Sequence, residues 1–595
     1  MVTIIGAGIA GMSAALRLLQ AGCSVTVIEK TDRVGGQFGG VQDGERYHEH
    51  AFHIFSDWCL NFFDLCQEIG IRRPGYPGDG EVGFVPRPAF LTLRPLDPPD
   101  KYGPKGREGS DFCRLEYLGS WESFWKNANS GVAHWSDMVI YQYSILDLLS
   151  DDSLDNDQTK EFLNRVSVNG YMRSLKYASD VAALLHQELL LKVFAVPSYR
   201  TSARAYQTYL RHTATFPPGR RIETNPTDLS PSFWSMEGNV RQRFWVPFLK
   251  KLNETEWPKG AKFYLRLNEE VTGLTLESAD SKSKVTEIEI KDARIGGTDL
   301  PRRESVNGPL LVAVPPVGLT KILKRSPQLT KAAPELADVV YLESVPVPAL
   351  NLYFNKRLDL PAEHVTLLDA SDELYLPDTS LARKNGIGSR YGLSFVDHSR
   401  IWPDLKKSDK TVLSVLAGDA RSLMDEPDEE KIKETLIATL KKYIRFDEND
   451  IESRGDVHLQ NHRDEPLFVN TEGSWEYRPE ARLDEPSPHD RPQKGPRSFP
   501  RIHQRVPNLF LAGDYCRSEI DIVSVEGAIV TGRSAAHLIC EKAETPIRLP
   551  DFDRDIVRRA QALLKSWLDL ATRRSTQEFL DQRAQVMAKL KLKSS

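Results

Sequence analysis

The chain has 595 residues, 40% of them apolar and 27% charged, with a net charge of -5. That length predicts roughly two to four domains, and the composition is ordinary for a globular protein. The charge balance supplies neither a basic field for nucleic acid nor a disordered acidic tail, so no nucleic-acid partner is expected.

The β-branched run Val2-Thr3-Ile4-Ile5 predicts a buried strand. It leads into GAGIAG, Gly6 to Gly11, and then into Ile9, Met12, Ala15, Leu16 and Leu19 at helical spacing. Gly22 stands where a helix would stop. Ser24 to Ile28 predicts a second strand, with Glu29 at its end, 18 residues past Gly11. A glycine triplet alone says little, but set between a strand and a helix, with a following acid, it is the dinucleotide fingerprint. Gly6 permits a tight turn, Gly8 lets the backbone approach a pyrophosphate at the helix N-terminus, and Gly11 allows close helix packing. Glu29 suits the ribose hydroxyls and repels a 2′-phosphate, which disfavours NADP. The doublet Gly35-Gly36 follows, fit for a backbone wrapped around an extended cofactor.

Next comes YHEHAFHIF, with His48, Glu49, His50 and His53 inside six residues. The spacing misses the two-histidine zinc pattern, and no further ligand cluster accompanies it, so no metal is expected. Residues 73–110 are rich in proline and glycine and predict a surface loop or lid. Tyr171 to Val196 predicts buried helix stopped by Pro197. Ala261 to Glu277 alternates as strands do, Gly308 to Leu323 as a strand and turn, and Val347–Phe354 and Lys410–Gly418 as sheet strands. Asp428 to Arg445 predicts an amphipathic helix with Ile432, Leu436, Ile437, Leu440 and Tyr443 as its stripe. Residues 473–500 predict irregular chain. In Arg505 to Ile539 a strand, Leu509 to Ala512, delivers Gly513-Asp514, and a helix starts near Val525. The tail after Pro550 predicts a helix with Ile556, Ala560, Leu563, Leu564, Trp567, Leu568 and Ala571 on one apolar face, and ten bases against six acids over 551–595. Such a face suits packing on the domain or in a homo-oligomer, or alternatively peripheral contact with a membrane surface.

No apolar run reaches the roughly 18–20 residues that span a bilayer, and no secretory leader is visible, so a cytoplasmic chain is expected. Six scattered cysteines without a C-x-x-C fit a reducing compartment.

The E-x-x-x-R-x-G-G arrangement from Glu29 to Gly36, the segment Gly308 to Leu323 and the segment Arg505 to Ile539 together resemble the FAD-dependent amine oxidase and carotene (phytoene) desaturase superfamily. Glu49, His53, Ile54, Phe55 and Asn61 fall on the desaturase pattern, as do stretches near 167–210 and 235–252. The resemblance implies an α/β fold, in which a Rossmann-like FAD-binding domain (1–75, 258–330 and 500–545) is interleaved with an α+β substrate domain (76–257 and 331–499). A C-terminal helical tail (546–595) follows. It implies that FAD is held by Gly6, Gly8, Ala10, Gly11, Glu29, Lys30, Gly35, Gly36, Gln37, Val271, Gly513, Asp514 and Val525. Gln37, Ala51 and Ser56-Asp57-Trp58-Cys59 depart from the desaturase pattern, around the expected substrate cavity.

Three functions are consistent with this reading. One is a desaturase, dehydrogenase or isomerase acting on a hydrophobic isoprenoid or lipid, with quinone or oxygen as electron acceptor. Another is an amine or L-amino-acid oxidase releasing peroxide. The third is a redox-neutral flavoprotein. Phe52, Phe55, Trp58, Phe62, Phe84, Phe90, Trp234, Trp245 and Trp475 are candidates for an apolar tunnel wall. His53 is the candidate polar group at the flavin, Arg478 the candidate for a substrate carboxylate, and Arg482 a further polar candidate.

Overall fold

The computed structural model describes residues 1–74, 79–87, 89–93, 112–116, 121–150, 162–213, 233–278, 282–294, 296–297, 300–367, 391–420, 423, 426–452, 458–460, 466–479, 505–550, 552 and 554–593. Two sheets organise them.

The first sheet is parallel throughout, in the order Phe263–Arg266, Val25–Ile28, Val2–Ile5, Leu310–Val312 and Leu509–Leu511. Val2–Ile5 lies at its centre and is buried on both sides, which is why its sequence is a continuous β-branched run. The helices Ile9–Gln20 and Val525–Ile539 pack together. A side chain at Gly532 would bring its Cβ within 2.3 Å of the Ala10 carbonyl, so the small residue sets the approach of the two helices. A three-stranded antiparallel sheet, Glu269–Leu276, Val285–Asp292 and Arg302–Ser305, and the helix Pro316–Arg325 share a second core with Ile5, Ile28, Leu310 and Val312.

The second sheet has seven strands, in the order Phe112–Glu116, Ala89–Leu93, His364–Leu367, Leu393–Asp397, Thr411–Ala417, Ala349–Phe354 and His458–Gln460. Period-two alternation divides its faces. Leu350, Leu352, Val365, Leu367, Leu393, Phe395, Leu413 and Val415 form one core with Ile432, Leu436 and Leu440 of the helix Glu429–Lys441. Each such side chain contributes about 1.5–3 kcal/mol by leaving water. The residues between them, among them Asn351, His364, Thr366, Ser394 and Ser414, stand on the other face.

The proline- and glycine-rich stretch 73–110, expected as a loop or lid, is partly sheet. Phe84–Pro86 pairs with Phe233–Met236, and Ala89–Leu93 pairs with two strands of the large sheet. Partners distant in sequence supply the ladder bonds that local composition argues against. In the 473–500 stretch Ser474–Tyr477 forms a short 3-10 turn, and Arg482 lies outside the described residues.

The tail forms one helix, Arg554–Lys593, against Trp135–Ser150. Val557, Leu564, Leu568 and Ala571 are the buried seam. The expected single apolar face is divided: Leu563 is 66% exposed and Trp567 43% exposed, because they sit one residue, about 100°, around from the seam. Trp567 still meets Trp125 edge to face, with centroids 4.7 Å apart. Among the described residues no helix is long and apolar enough to cross a membrane.

Candidate functional site

At the top of the parallel sheet the chain turns at Gly6, whose φ is +102° and whose Cβ, if present, would lie 2.4 Å from the Ala313 carbonyl. Gly8 precedes the helix Ile9–Gln20 with no side-chain cap, leaving N–H groups of the first turn directed at the space ahead. Gly11 closes on the turn, since a Cβ there would sit 2.2 Å from the Gly6 carbonyl. At Gly8, by contrast, a Cβ would meet nothing within 4 Å. Gly8 is thus not required by the protein's own packing, and its surroundings are room for a ligand.

Glu29 stands at the end of its strand, 8% exposed. Oε2 accepts from the Ala7 N–H at 2.8 Å, and Oε1 from the Thr31 N–H at 3.0 Å and hydroxyl at 2.9 Å. These donors fix the carboxylate at the wall of a cavity of about 950 Å³. Gly35 bridges to Gly8 and donates to the Ala7 carbonyl at 2.9 Å, closing the same cradle. Ala10, Lys30, Gly36, Gln37 and Val271 line it too. Gln37 Nε2 donates to the Pro466 carbonyl at 3.2 Å, tying the cradle to the chain beside the large sheet.

Gly513, Asp514 and Val525 line the cavity from the fifth strand and the second helix. The Gly513 N–H is held by the Thr531 hydroxyl at 3.1 Å. Burial pushes the Asp514 carboxyl up to about 6, against the opposing pull of Arg478. Ser524 caps the helix by accepting from the Gly527 N–H at 3.0 Å.

Glu526, in the first turn of that helix, escaped the sequence reading. Its carboxylate accepts from the N–H groups of Asn61 at 2.9 Å and Phe62 at 2.8 Å and from the Asn61 amide at 2.6 Å. It therefore caps the helix Leu60–Glu68 from another part of the chain. Burial raises it to about 7 despite those bonds. Arg533 donates to the Asn61 side chain at 2.8 Å and completes the cluster. A cap supplied 465 positions away has no local sequence signal.

The cavity continues from this cradle into a chamber walled by Phe52, Phe55, Trp58, Met138, Tyr141, Leu185, Phe194, Tyr209 and Phe233. Of the other aromatic candidates, Phe62, Phe84, Trp234 and Trp245 are interior packing. Trp475 is stacked by Arg204, Arg478 and Arg517, and the Phe90 side chain lies outside the described residues.

His53 lines the chamber with its ring 4.9 Å from Phe38. Burial, assisted by His50, lowers it to about 3, so it is a neutral imidazole near pH 7. Its Nε2 makes no hydrogen bond among the described residues. Trp58 Nε1 is likewise buried without a hydrogen-bond acceptor among the described residues, and Trp58 lines the same cavity. Glu49 is a buried acid that accepts from the Val240 N–H at 2.7 Å, and burial raises it to about 8. His48 meets Tyr353 Oη at 3.3 Å. Among the described residues no three His, Cys, Asp or Glu side chains come together as metal ligands.

Arg478 does not reach the cavity. It is 4% exposed and pairs with Asp521 at 2.6 Å. It also donates to the carbonyls of Tyr515 at 2.8 Å, Cys516 at 2.8 Å and Asp514 at 3.0 Å. Its donors are consumed in holding the turn 514–516, so the expectation of a substrate-carboxylate ligand fails on geometry.

The residues present fit FAD. An uncapped helix N-terminus with open space at Gly8 suits a pyrophosphate, an oriented acid suits a ribose, and a second helix N-terminus stands where the chamber begins. The family model for flavin containing amine oxidoreductases matches residues 265–540, and that for NAD(P)-binding Rossmann-like domains matches residues 4–69. Zeta-carotene desaturase of Synechocystis sp. is 37% identical over 73 residues, 12% of this chain and 15% of that protein. The Arabidopsis thaliana chloroplastic/chromoplastic zeta-carotene desaturase is 33% identical over 121 residues, 17% of this chain and 22% of that one. Carotenoid phi-ring synthase of Chlorobaculum tepidum is 36% identical over 84 residues, 12% of this chain and 13% of that one. These matches thus span between 13% and 22% of each relative's length.

Solved structures share the fold across nearly the whole chain. Wild-type putrescine oxidase bound to putrescine aligns with a TM-score of 0.53 at 15% identity, covering 90% of this chain and 98% of that one. An oxidoreductase from Methanosarcina mazei aligns with a TM-score of 0.55 at 13% identity, covering 90% and 99%. The cradle and the two family models, over residues 4–69 and 265–540, support the FAD-dependent amine oxidase and carotenoid desaturase superfamily.

Proposed function

We propose that this protein is an FAD-dependent oxidoreductase that removes hydride from a C–H bond of a hydrophobic, isoprenoid- or lipid-like substrate. The observation that carries this reading is the continuity of one cavity from the Gly8–Glu29–Asp514 cradle into a chamber walled mainly by aromatic and aliphatic side chains. When bound, FAD supplies a two-electron acceptor at N5 of its isoalloxazine ring.

The chain's own residues bind, orient and exclude water. The N–H groups ahead of Ile9 and the Glu29 carboxylate would hold the pyrophosphate and ribose. Gly35 and Gly36 would let the backbone close over them, and Val271, which lines the same cavity, would hold the adenine. The helix N-terminus at Val525 lines the cavity, and its N–H groups and dipole would favour negative charge on a bound flavin. Phe52, Phe55 and Tyr209 keep the reacting bond in an apolar setting. His53, neutral and with its Nε2 unbonded among the described residues, suits shape and polarity better than strong base catalysis.

The test is anaerobic mixing of the purified, flavin-loaded chain with polyene, isoprenoid and fatty acyl compounds, and separately with an amine and amino-acid panel under oxygen. Bleaching of the flavin spectrum by an apolar compound, with no peroxide from the panel, is the expected result. Steady peroxide release from an amine would replace this reading with that of an amine oxidase. Protein that neither carries nor takes up flavin would refute both.

A further inference from the structure

Tyr141 stands on the helix Trp135–Ser150 and lines the chamber. Burial, helped by the Tyr209 phenol, pushes it above the usual tyrosine range, yet the residue is only partly buried. A phenol withdrawn from bulk water but still partly accessible exposes that surface to the cavity. Among the described residues its hydroxyl makes no hydrogen bond.

The polar groups behind it are paired. Ser144 Oγ donates to the Tyr141 carbonyl at 2.7 Å. That uses the single Ser144 proton, so His186 Nε2, at 2.8 Å, is the donor to Oγ. His186 Nδ1 is then the acceptor, and the Tyr206 hydroxyl donates to it at 2.8 Å. Burial lowers His186 to about 3 and keeps the imidazole neutral. Its ring lies against the Tyr141 ring, with centroids 4.6 Å apart. Residues of three helices, Trp135–Ser150, Asp180–Phe194 and Ala203–Thr213, thus fix Tyr141 from behind. The hydroxyl left over in this cluster is the one beside the cavity. Trp58, 5% exposed, lines the same cavity, and its indole N–H also has no acceptor among the described residues. The Tyr209 phenol lies within electrostatic reach of both Tyr141 and Cys59, the neighbour of Trp58.

Phenylalanine at position 141 would fill the same wall for a hydrocarbon without a polar atom. A hydrocarbon enclosed here leaves the donor unpaired and away from water, an unfavourable state that an acceptor oxygen on the ligand removes. Apolar walls discriminate weakly between ligands, whereas a site built around a hydrogen bond discriminates strongly against a ligand that lacks it.

We propose that Tyr141 is a specificity-determining residue whose hydroxyl donates to an acceptor oxygen, carbonyl or hydroxyl, on an otherwise apolar substrate, with Trp58 as a further donor in the same chamber. The inference rests on the oxidoreductase reading for the existence of that substrate and deepens its class, from a hydrocarbon to an oxygenated isoprenoid or lipid. Such a substrate is held in one orientation, because the contact is made by the oxygen-bearing part alone.

The experiment is equilibrium dialysis of the flavin-loaded full chain with radiolabelled geranylacetone and with the hydrocarbon that carries a methylene in place of its carbonyl. The wild type is expected to bind the ketone at least tenfold more tightly. Tyr141→Phe should bring the two ligands within about twofold, with flavin content and melting temperature unchanged. Trp58→Phe should reduce the preference without abolishing it. Equal binding of the two ligands by the wild type, no binding of the ketone, or a preference that survives Tyr141→Phe would overturn the proposal. Should Tyr141→Phe fail to fold, the carbonyl carbon-13 resonance of ketone bound to Trp58→Phe decides. It should stay downfield of its position in hexane, as a hydrogen-bonded carbonyl does, and a return to the hexane position would overturn the proposal. Failure here is separable from failure of the oxidoreductase reading. Flavin reduction by hydrocarbons with no ketone preference sinks the Tyr141 contact alone. Ketone preference in a chain whose flavin no compound reduces sinks the redox reading and leaves the contact standing.

Discussion

Replacing Arg478 with methionine separates two roles that a sequence leaves equivalent. The guanidinium makes one buried ion pair, to Asp521 at 2.6 Å, and three bonds to the carbonyls of residues 514–516. Methionine fills much of the space but leaves those carbonyls without the donor and weakens the pairing of Asp521, which retains Arg204 at 3.4 Å. Breaking a buried pair from one side costs about 3–5 kcal/mol. Over 595 residues the unfolding entropy is about 1.2 kcal/mol/K, so a chain melting as one unit would lose about 2–4 °C. The turn it holds carries Asp514 into the cofactor cradle, so flavin retention should fall with stability. Differential scanning calorimetry and flavin-to-protein ratio after gel filtration measure both. Arg478→Met with unchanged melting and full flavin content, but with substrate-dependent flavin reduction lost, would refute this reasoning and restore the arginine as a substrate ligand.

Gly8→Ala should leave the melting temperature of flavin-free protein unchanged and weaken flavin binding at least tenfold in a fluorescence titration, because its Cβ meets only the ligand's space. Gly11→Ala should destabilise the chain itself, since its Cβ collides with the Gly6 carbonyl. Glu49, raised by burial to about 8, contributes stability that is fully present below about 4.5 and lost as pH rises through 8. Glu49→Gln should therefore melt with the wild type near pH 4.5 and progressively above it up to pH 8, each pH unit adding about 1.4 kcal/mol. A melting difference independent of pH would disprove that account. Leu568→Ala should cost about 2–5 kcal/mol by opening the seam between the tail helix and Trp135–Ser150. Leu563→Ala, at 66% exposure, should stay within about 0.5 kcal/mol in the same denaturant titration.

The sequence by itself determined the dinucleotide cradle. Gly6, Gly8, Gly11 and Glu29 act through local geometry, a turn, an uncapped helix and a strand end, and local geometry is written in consecutive residues. The stripe of the helix Glu429–Lys441 and the strands Ala349–Phe354 and Thr411–Ala417 were legible for the same reason, through period. Tertiary structure alone decided which aromatics wall the chamber, since Phe55 and Phe62 have the same composition and stack on each other at 4.2 Å, yet only Phe55 meets the cavity. It also decided that Arg478 is consumed by the turn at 514–516 and that Glu526 caps a helix near Asn61. It brought Trp58 and Tyr141 to one cavity. Each of those outcomes depends on partners far apart in the chain, brought together by strand register and helix packing, and no window of consecutive residues contains them.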